Sequence, residues 1–271
     1  MASTYLQRTQ GTGTSRDIWT LSMWVKRNGV GAVQGLMSTA GGWNDGTGIA
    51  IVFNADDVFN IYNPSQGGAG QYNEGTRKYR DVNGWYHIVF RADSTQVTQA
   101  DRLKIYVNGE QDTTINTGNL PDQNTDWNDV NNNGQTLQIG RAGSAGPTFF
   151  DGIMSHINFA DGQSLAPTVF GQTDSTTGEW KIITDPSFTL GNNGFTILED
   201  GNTITDQSSN SNNFTLGGGT LTNTEDCPSD VFATINPLSA TNDDSGGLLK
   251  NGNTSLDSAT SGAVKWYGAS T

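Results

Sequence analysis

Two short stretches set an indole among side-chain amides and carboxylates: Trp43 in Gly42-Trp-Asn-Asp45, and Trp127 in Thr125-Asp-Trp-Asn-Asp129. An exposed tryptophan offers a flat apolar face to a sugar ring, while flanking oxygens and amides serve the ring's hydroxyls. Trp43, Asn44, Asp45, Trp127 and Asn128 are therefore the candidate glycan-binding residues. Each indole has an alternative use, pinning its own loop or meeting a neighbouring subunit. The second stretch runs into Asp129-Val-Asn-Asn-Asn-Gly134, which matches the first half of an EF-hand loop, with oxygen donors at alternate positions before a glycine turn. Asp129, Asn131 and Asn133 would be its ligands. The twelfth position is Gly140, where a bidentate Glu is needed, and a single carboxylate among three ligands implies weak calcium binding at most. An Asx-rich turn would use the same residues without a metal, and no other cofactor is implied.

Hydrolysis of a glycosidic bond needs two carboxylates flanking it. Of Glu74, Glu110, Glu179, Glu199 and Glu225 only Glu110 has an acidic residue two positions away, Asp112, and Thr114 follows it where an alternating carboxylate run would need a third acid; adjacent Glu225 and Asp226 point to opposite faces of an extended chain. His87 and His156 have no His, Cys or carboxylate at zinc-site spacing. Cys227 follows two carboxylates, which disfavour the thiolate that a nucleophile needs. No nucleophile elbow, P-loop or dinucleotide fingerprint is present. The chain is expected not to be an enzyme.

The elements that position these residues are strands. The 271 residues are 33% hydrophobic and 15% charged, with 35 glycines, and no helix-period run occurs. Small polar residues and glycine supply turns, so this composition suits an all-β chain. A formal net charge of −13 and a pI near 4.3 argue against nucleic acid and anionic membranes, which need clustered Lys and Arg. No apolar run reaches the ~20 residues of a membrane span, so no membrane insertion is expected. One cysteine excludes an internal disulfide. The start, Met1-Ala-Ser-Thr-Tyr-Leu, lacks the basic and apolar regions of a signal peptide.

Trp19-Thr-Leu-Ser-Met-Trp-Val-Lys-Arg27 alternates as a half-buried strand, with Trp19, Leu21, Met23 and Val25 on one face. Tyr5–Thr9 reads as a short edge strand. Further strands are expected at Leu36–Thr39, Gly48–Phe53, Val58–Tyr62, Thr136–Arg141, Phe149–Phe159 and Gly194–Leu198. A basic stretch, Thr76–Arg80, reads as a solvated strand or loop, and Asp161–Gly171 as a short helical turn. Val82-Asn-Gly-Trp-Tyr-His-Ile-Val-Phe-Arg91 and Leu103-Lys-Ile-Tyr-Val-Asn-Gly-Glu110 read as antiparallel neighbours, with a turn at Asn108-Gly109.

These last two phrases resemble the core of laminin-G-like domains of the concanavalin-A-like jelly-roll superfamily, over roughly Tyr5 to Glu179. "WTLSMWVKR" is similar to the opening of such domains in virion proteins of tailed phages, especially marine ones. Asp206–Thr215 and Asp226–Leu238 resemble a linker that follows the domain there, with Ser-Ser-Asn-Ser in place of the usual Ser-Gly-Asn-Gly. The resemblance implies a jelly-roll sandwich over residues 1–180, a less regular β-linker over 181–238 and an extended polar segment over 239–271. Val264–Thr271 in that segment looks like the first strand of a further domain. It also implies a structural protein of the virion: a tail fibre, tail-associated or capsid-surface fibre component. Its partners would be other virion proteins, further copies of itself and a host-surface glycan. A capsid decoration or adaptor protein and a polysaccharide depolymerase are the alternatives.

Overall fold

The computed structural model describes residues 3–39, 48–64, 72–143, 146–199 and 203–231, together with short strand segments at 234–235, 248–250, 255–257 and 269–270. Strands are numbered in chain order. One sheet holds β1 (Tyr5–Thr9), β3 (Gln34–Thr39), β4 (Ala50–Phe53), β5 (Phe59–Tyr62), β6 (Tyr72–Glu74), β10 (Thr136–Ile139) and β17 (Thr215–Gly218), in the order β17-β1-β10-β3-β4-β5-β6. The other holds β2 (Ile18–Arg27), β7 (Tyr86–Asp93), β8 (Leu103–Val107), β9 (Glu110–Gln111), β13 (Gly152–Asp161) and β16 (Phe195–Ile197), in the order β16-β13-β2-β7-β8-β9. All pairings within them are antiparallel, and the architecture is an all-β, concanavalin-A-like jelly-roll sandwich.

The core forms because side chains alternate along each strand. Trp19, Leu21, Met23 and Val25 project from β2 to meet Leu6, Leu36, Ile51, Phe53, Phe59 and Ile61 from the opposite sheet. Fully burying one such side chain contributes about 1.5–3 kcal/mol. The hairpin after β8 closes with Asn108 at φ 51° and Gly109 at φ 82°, values that suit a two-residue type I′ turn. Its first residue also accepts the His87 N–H on Oδ1 at 2.8 Å, tying the turn to β7.

The outward face of β2 departs from a half-buried strand. Thr20, Ser22, Trp24 and Lys26 are also buried, because the chain after residue 162 wraps this side of the sheet. Thr20 Oγ1 donates to the Gln163 carbonyl at 2.7 Å and accepts the Leu165 N–H at 2.8 Å. The hairpin of β14 (Gly171–Thr173) and β15 (Trp180–Ile182) lays its indole over His87. Trp24, His87 and Trp180 form a near-parallel stack, with centroid separations of 4.7 and 5.9 Å. The imidazole accepts the Trp180 Nε1–H on Nδ1 at 2.9 Å and so carries its own proton on Nε2, facing Ser22 Oγ at 2.9 Å. Burial holds this histidine down to about 3.

Two strands beyond residue 180 join the sheets, β16 beside β13 and β17 beside β1. Tyr5–Thr9 is therefore flanked on both sides and is not an edge. The basic stretch at 76–80 is a loop: Lys78 donates to the Asp56 carbonyl at 2.8 Å and Arg80 to Asp57 at 2.9 Å. The short helical turn at Pro167–Val169 falls where expected. In the polar 239–271 segment, Leu248–Lys250 pairs with Ser255–Asp257; of Val264–Thr271 only Ala269–Ser270 is described, as a short strand paired with Thr234–Ile235, and the rest lies outside the described residues.

Candidate functional site

Trp43, Asn44 and Asp45 lie outside the described residues. Trp127 overturns the expectation of an exposed stacking platform. It is 0% exposed, meets Trp19 edge-on at 5.6 Å and donates Nε1–H to the Asp17 carbonyl at 3.1 Å. Its loop is drawn inward by the bond of the Trp127 N–H to the Arg16 carbonyl and by that of the Asn128 N–H to Asn63 Oδ1 at 3.1 Å. The ring has no face left for a sugar.

The Asx-rich run beside it bends through left-handed residues, Asp129 at φ 54° and Asn131 at φ 56°. Asp129 Oδ1 accepts the Asn132 side-chain amide at 2.8 Å. Asn131 is buried and gives its amide N–H groups to Asp161 Oδ1 at 2.7 Å and the Ser15 carbonyl at 2.6 Å, while Asn133 is exposed. Asn131 thus serves as a donor to a carboxylate through its amide N–H, while its own Oδ1 is buried without a hydrogen-bond partner. Asp161 also accepts the Thr14, Ser15 and Asn193 N–H groups at 2.7, 3.0 and 3.0 Å, locking three loops to the end of β13. Among the described residues, no group of three or more His, Cys, Asp and Glu could hold a metal ion.

A concave site lies elsewhere, on the side of the sandwich where β17 and β16 are the outermost strands. From β17 the chain must cross from one sheet to the other, because Asp226 is anchored on the outer face of β2. Its Oδ2 accepts Lys26 Nζ at 2.7 Å, with side-chain exposures of 0% and 2%. The Trp85 indole N–H reaches its other oxygen at 3.3 Å. The crossing segment, residues 219–227, encloses a cleft of about 380 Å³, within the ~300–1,000 Å³ of small-molecule sites. Its floor is apolar, from Leu6, Ile139, Phe150, Met154 and Leu198. Around this lie Tyr5, Thr220, Thr222, Thr224, Asp151, Glu199 and Glu225, together with Asp226, whose buried carboxylate is taken up by Lys26 and Trp85.

One wall of the cleft is built from strained backbone. β13 bulges between Ser155 and Asn158, leaving His156 at φ 46°, and Leu198 sits at φ 59°. The His156 N–H bonds to the Leu198 carbonyl at 2.9 Å, so each residue holds the other. A left-handed leucine is costly, and such outliers and bulges cluster at functional sites. The sequence carries no local signal for this cleft. Its carboxylates stand at positions 151, 199, 225 and 226, and only packing brings them together.

A family model described as the Concanavalin A-like lectin/glucanases superfamily matches residues 2–170. No curated protein matches the chain. Among solved structures, a putative carbohydrate binding protein from Bacteroides ovatus is similar at 21% identity and a TM-score of 0.54, over 85% of this chain and 60% of that one. The heptameric SAP-like pentraxin from Limulus polyphemus aligns at 17% identity and 0.41, over 61% and 72%. The mouse laminin alpha1 chain aligns at 12% and 0.41, over 60% and 40%. The chain thus spans three fifths of the Bacteroides protein, and the likeness is one of fold.

Proposed function

Because the chain belongs to the concanavalin A-like lectin/glucanases superfamily, we propose that it is a non-catalytic glycan-binding protein serving in the particle of a tailed phage. It would be a tail-fibre, tail-associated or capsid-surface fibre component, assembled with copies of itself and other virion proteins. The cleft behind residues 219–227 carries the binding half of this reading. It joins an apolar floor, an aromatic ring and a rim of hydroxyls and carboxylates, the mixture that an amphipathic sugar ring presents in complement. The virion half is supported by the phrases Trp19–Arg27, Asp206–Thr215 and Asp226–Leu238 alone. A glycan array probed with the intact chain tests the first half, and immunogold labelling of particles tests the second. Labelled particles with no glycan bound would make this an assembly protein.

One observation favours a second reading, a depolymerase. Folding gathers the acidic residues Asp151, Glu199 and Glu225 around the cleft, and hydrolysis needs only a suitably spaced pair. Reducing-end release from host polysaccharide that Glu225→Gln and Asp151→Asn each abolish would establish it.

A further inference from the structure

The segment that closes the cleft is held at its two ends and hardly between them. At the upstream end, Thr4 Oγ1 donates to the Thr220 carbonyl at 2.9 Å and accepts the Thr220 N–H at 3.2 Å. Gly219, just before this tie, sits at φ 71°, and a Cβ there would come within 2.6 Å of Thr4. From Gly219 to Asp226 the chain belongs to no strand or helix. Leu221, Thr222, Asn223 and Glu225 make no hydrogen bond among the described residues. Leu221, the one hydrophobic side chain of the segment, rests half-buried against the core. At the downstream end stands Asp226, held by Lys26 at 2.7 Å and by the Trp85 indole at 3.3 Å. Past it, Cys227 and Asp230 bond only to each other through the backbone. In the continuous stretch that runs to residue 231, Asp226 is thus the last residue bonded to the sandwich.

A segment with few buried contacts and few hydrogen bonds opens at a free energy well below that of global unfolding. The downstream tie makes such opening all-or-none. With side-chain exposures of 0% and 2%, Asp226 and Lys26 have each exchanged water for the other. Partial withdrawal would leave two buried charges unpaired, whereas full withdrawal returns both to water. We infer that residues 220–226 are a latched strap: it swings open as a unit about Gly219 when Asp226 leaves Lys26, and passage into and out of the cleft waits on that release. Opening uncovers the floor made by Leu6, Ile139, Phe150 and Met154. The strap's motion does not depend on what the cleft binds, so it stands or falls apart from the glycan reading.

Lys26 reports the release, because its ammonium meets an acylating reagent only when Asp226 has withdrawn. The intact protein is treated with the N-hydroxysuccinimide ester of acetic acid at rising urea concentrations. Peptide mass spectrometry follows acetylation of Lys26 beside that of the exposed Lys78 and Lys181. Opening of a short strap exposes little surface, so Lys26 should react more slowly than those two, at a rate that urea hardly changes below the unfolding transition. Access through global unfolding would instead raise the rate at least about fivefold per molar urea. Leu221→Ala removes the strap's apolar contact without touching the latch and should speed Lys26 acetylation about fivefold in the absence of urea. Glu225→Gln, on an exposed side chain, should leave that rate unchanged. A Lys26 rate that climbs with urea from the first addition overturns the inference by making release a part of global unfolding. A rate equal to that of Lys181 overturns it by showing that nothing is latched, and an unaltered rate in Leu221→Ala by placing the opening elsewhere.

Discussion

Trp127→Ala separates a core tryptophan from a sugar platform. The indole is 0% exposed and packs edge-on against Trp19, which in turn stacks on Phe159 at 6.1 Å. Truncating it removes the burial of a large side chain and opens a cavity between two rigid rings. Losses of about 3–5 kcal/mol follow from comparable changes. That is a large fraction of the ~5–15 kcal/mol that holds a domain folded. At roughly 2–4 °C per kcal/mol for a domain of this size, the midpoint should fall by roughly 6–20 °C. Trp127→Phe keeps a ring and loses the Nε1–H. The Asp17 carbonyl left behind still accepts the Ser94 N–H at 3.0 Å, so this variant should cost less, about 1–2 kcal/mol. Urea unfolding monitored by circular dichroism measures both, with glycan binding followed in parallel. Unchanged stability with lost binding would refute the argument and return Trp127 to the surface.

Three further outcomes are expected. Asp226→Asn leaves the buried Lys26 ammonium without a counter-charge and should cost about 3–5 kcal/mol, whereas Lys26→Met with Asp226→Leu removes both charges and should lie much nearer the wild type; a double-mutant cycle reads the coupling, and simple additivity would mean that the pair is not coupled. His87 titrates near 3 in the fold and near 6.5 when unfolded, so below pH 6.5 the unfolded chain binds the proton first. Its contribution is complete above pH 6.5 and is lost as pH falls towards 3, by about 2–3 kcal/mol between pH 6.5 and 4.5; denaturation midpoints at those pH values in the wild type and His87→Asn check this, and parallel pH profiles would disprove it. A chain cut after residue 170, where the family match ends, should expose Trp24 and His87 and aggregate, while one ending at 231 should unfold cooperatively; a soluble, cooperative 1–170 fragment would contradict the wrapping role.

What was legible in the sequence was what local period and turn chemistry encode. Trp19, Leu21, Met23 and Val25 share the core because strand side chains alternate, and no distant residue is needed to see it. The turn at Asn108-Gly109 was legible for the same reason, since those residues take positive φ at small cost. The opposite face of β2 was not. Trp24 and Lys26 point away from the core as the alternation requires, yet both are buried by residues around 180 and 226. A period of two states which side chains share a face, and it is silent on what later covers that face. Trp127 misled through its neighbours. Asp126, Asn128 and Asp129 mark a loop, but Arg16 and Asn63 decide whether the loop tucks inward. The cleft is the extreme case. It exists because β17 must pair with β1 while Asp226 must reach Lys26 on the other sheet. The span between those two anchors has to bridge the open side of the sandwich. A site made by that geometric necessity leaves no motif, and its residues are constrained as much by closure as by any ligand. Substitutions at the Asp226–Lys26 anchor should therefore disturb fold and binding together, whereas substitutions at Glu225, in the span that leads to it, should disturb binding alone.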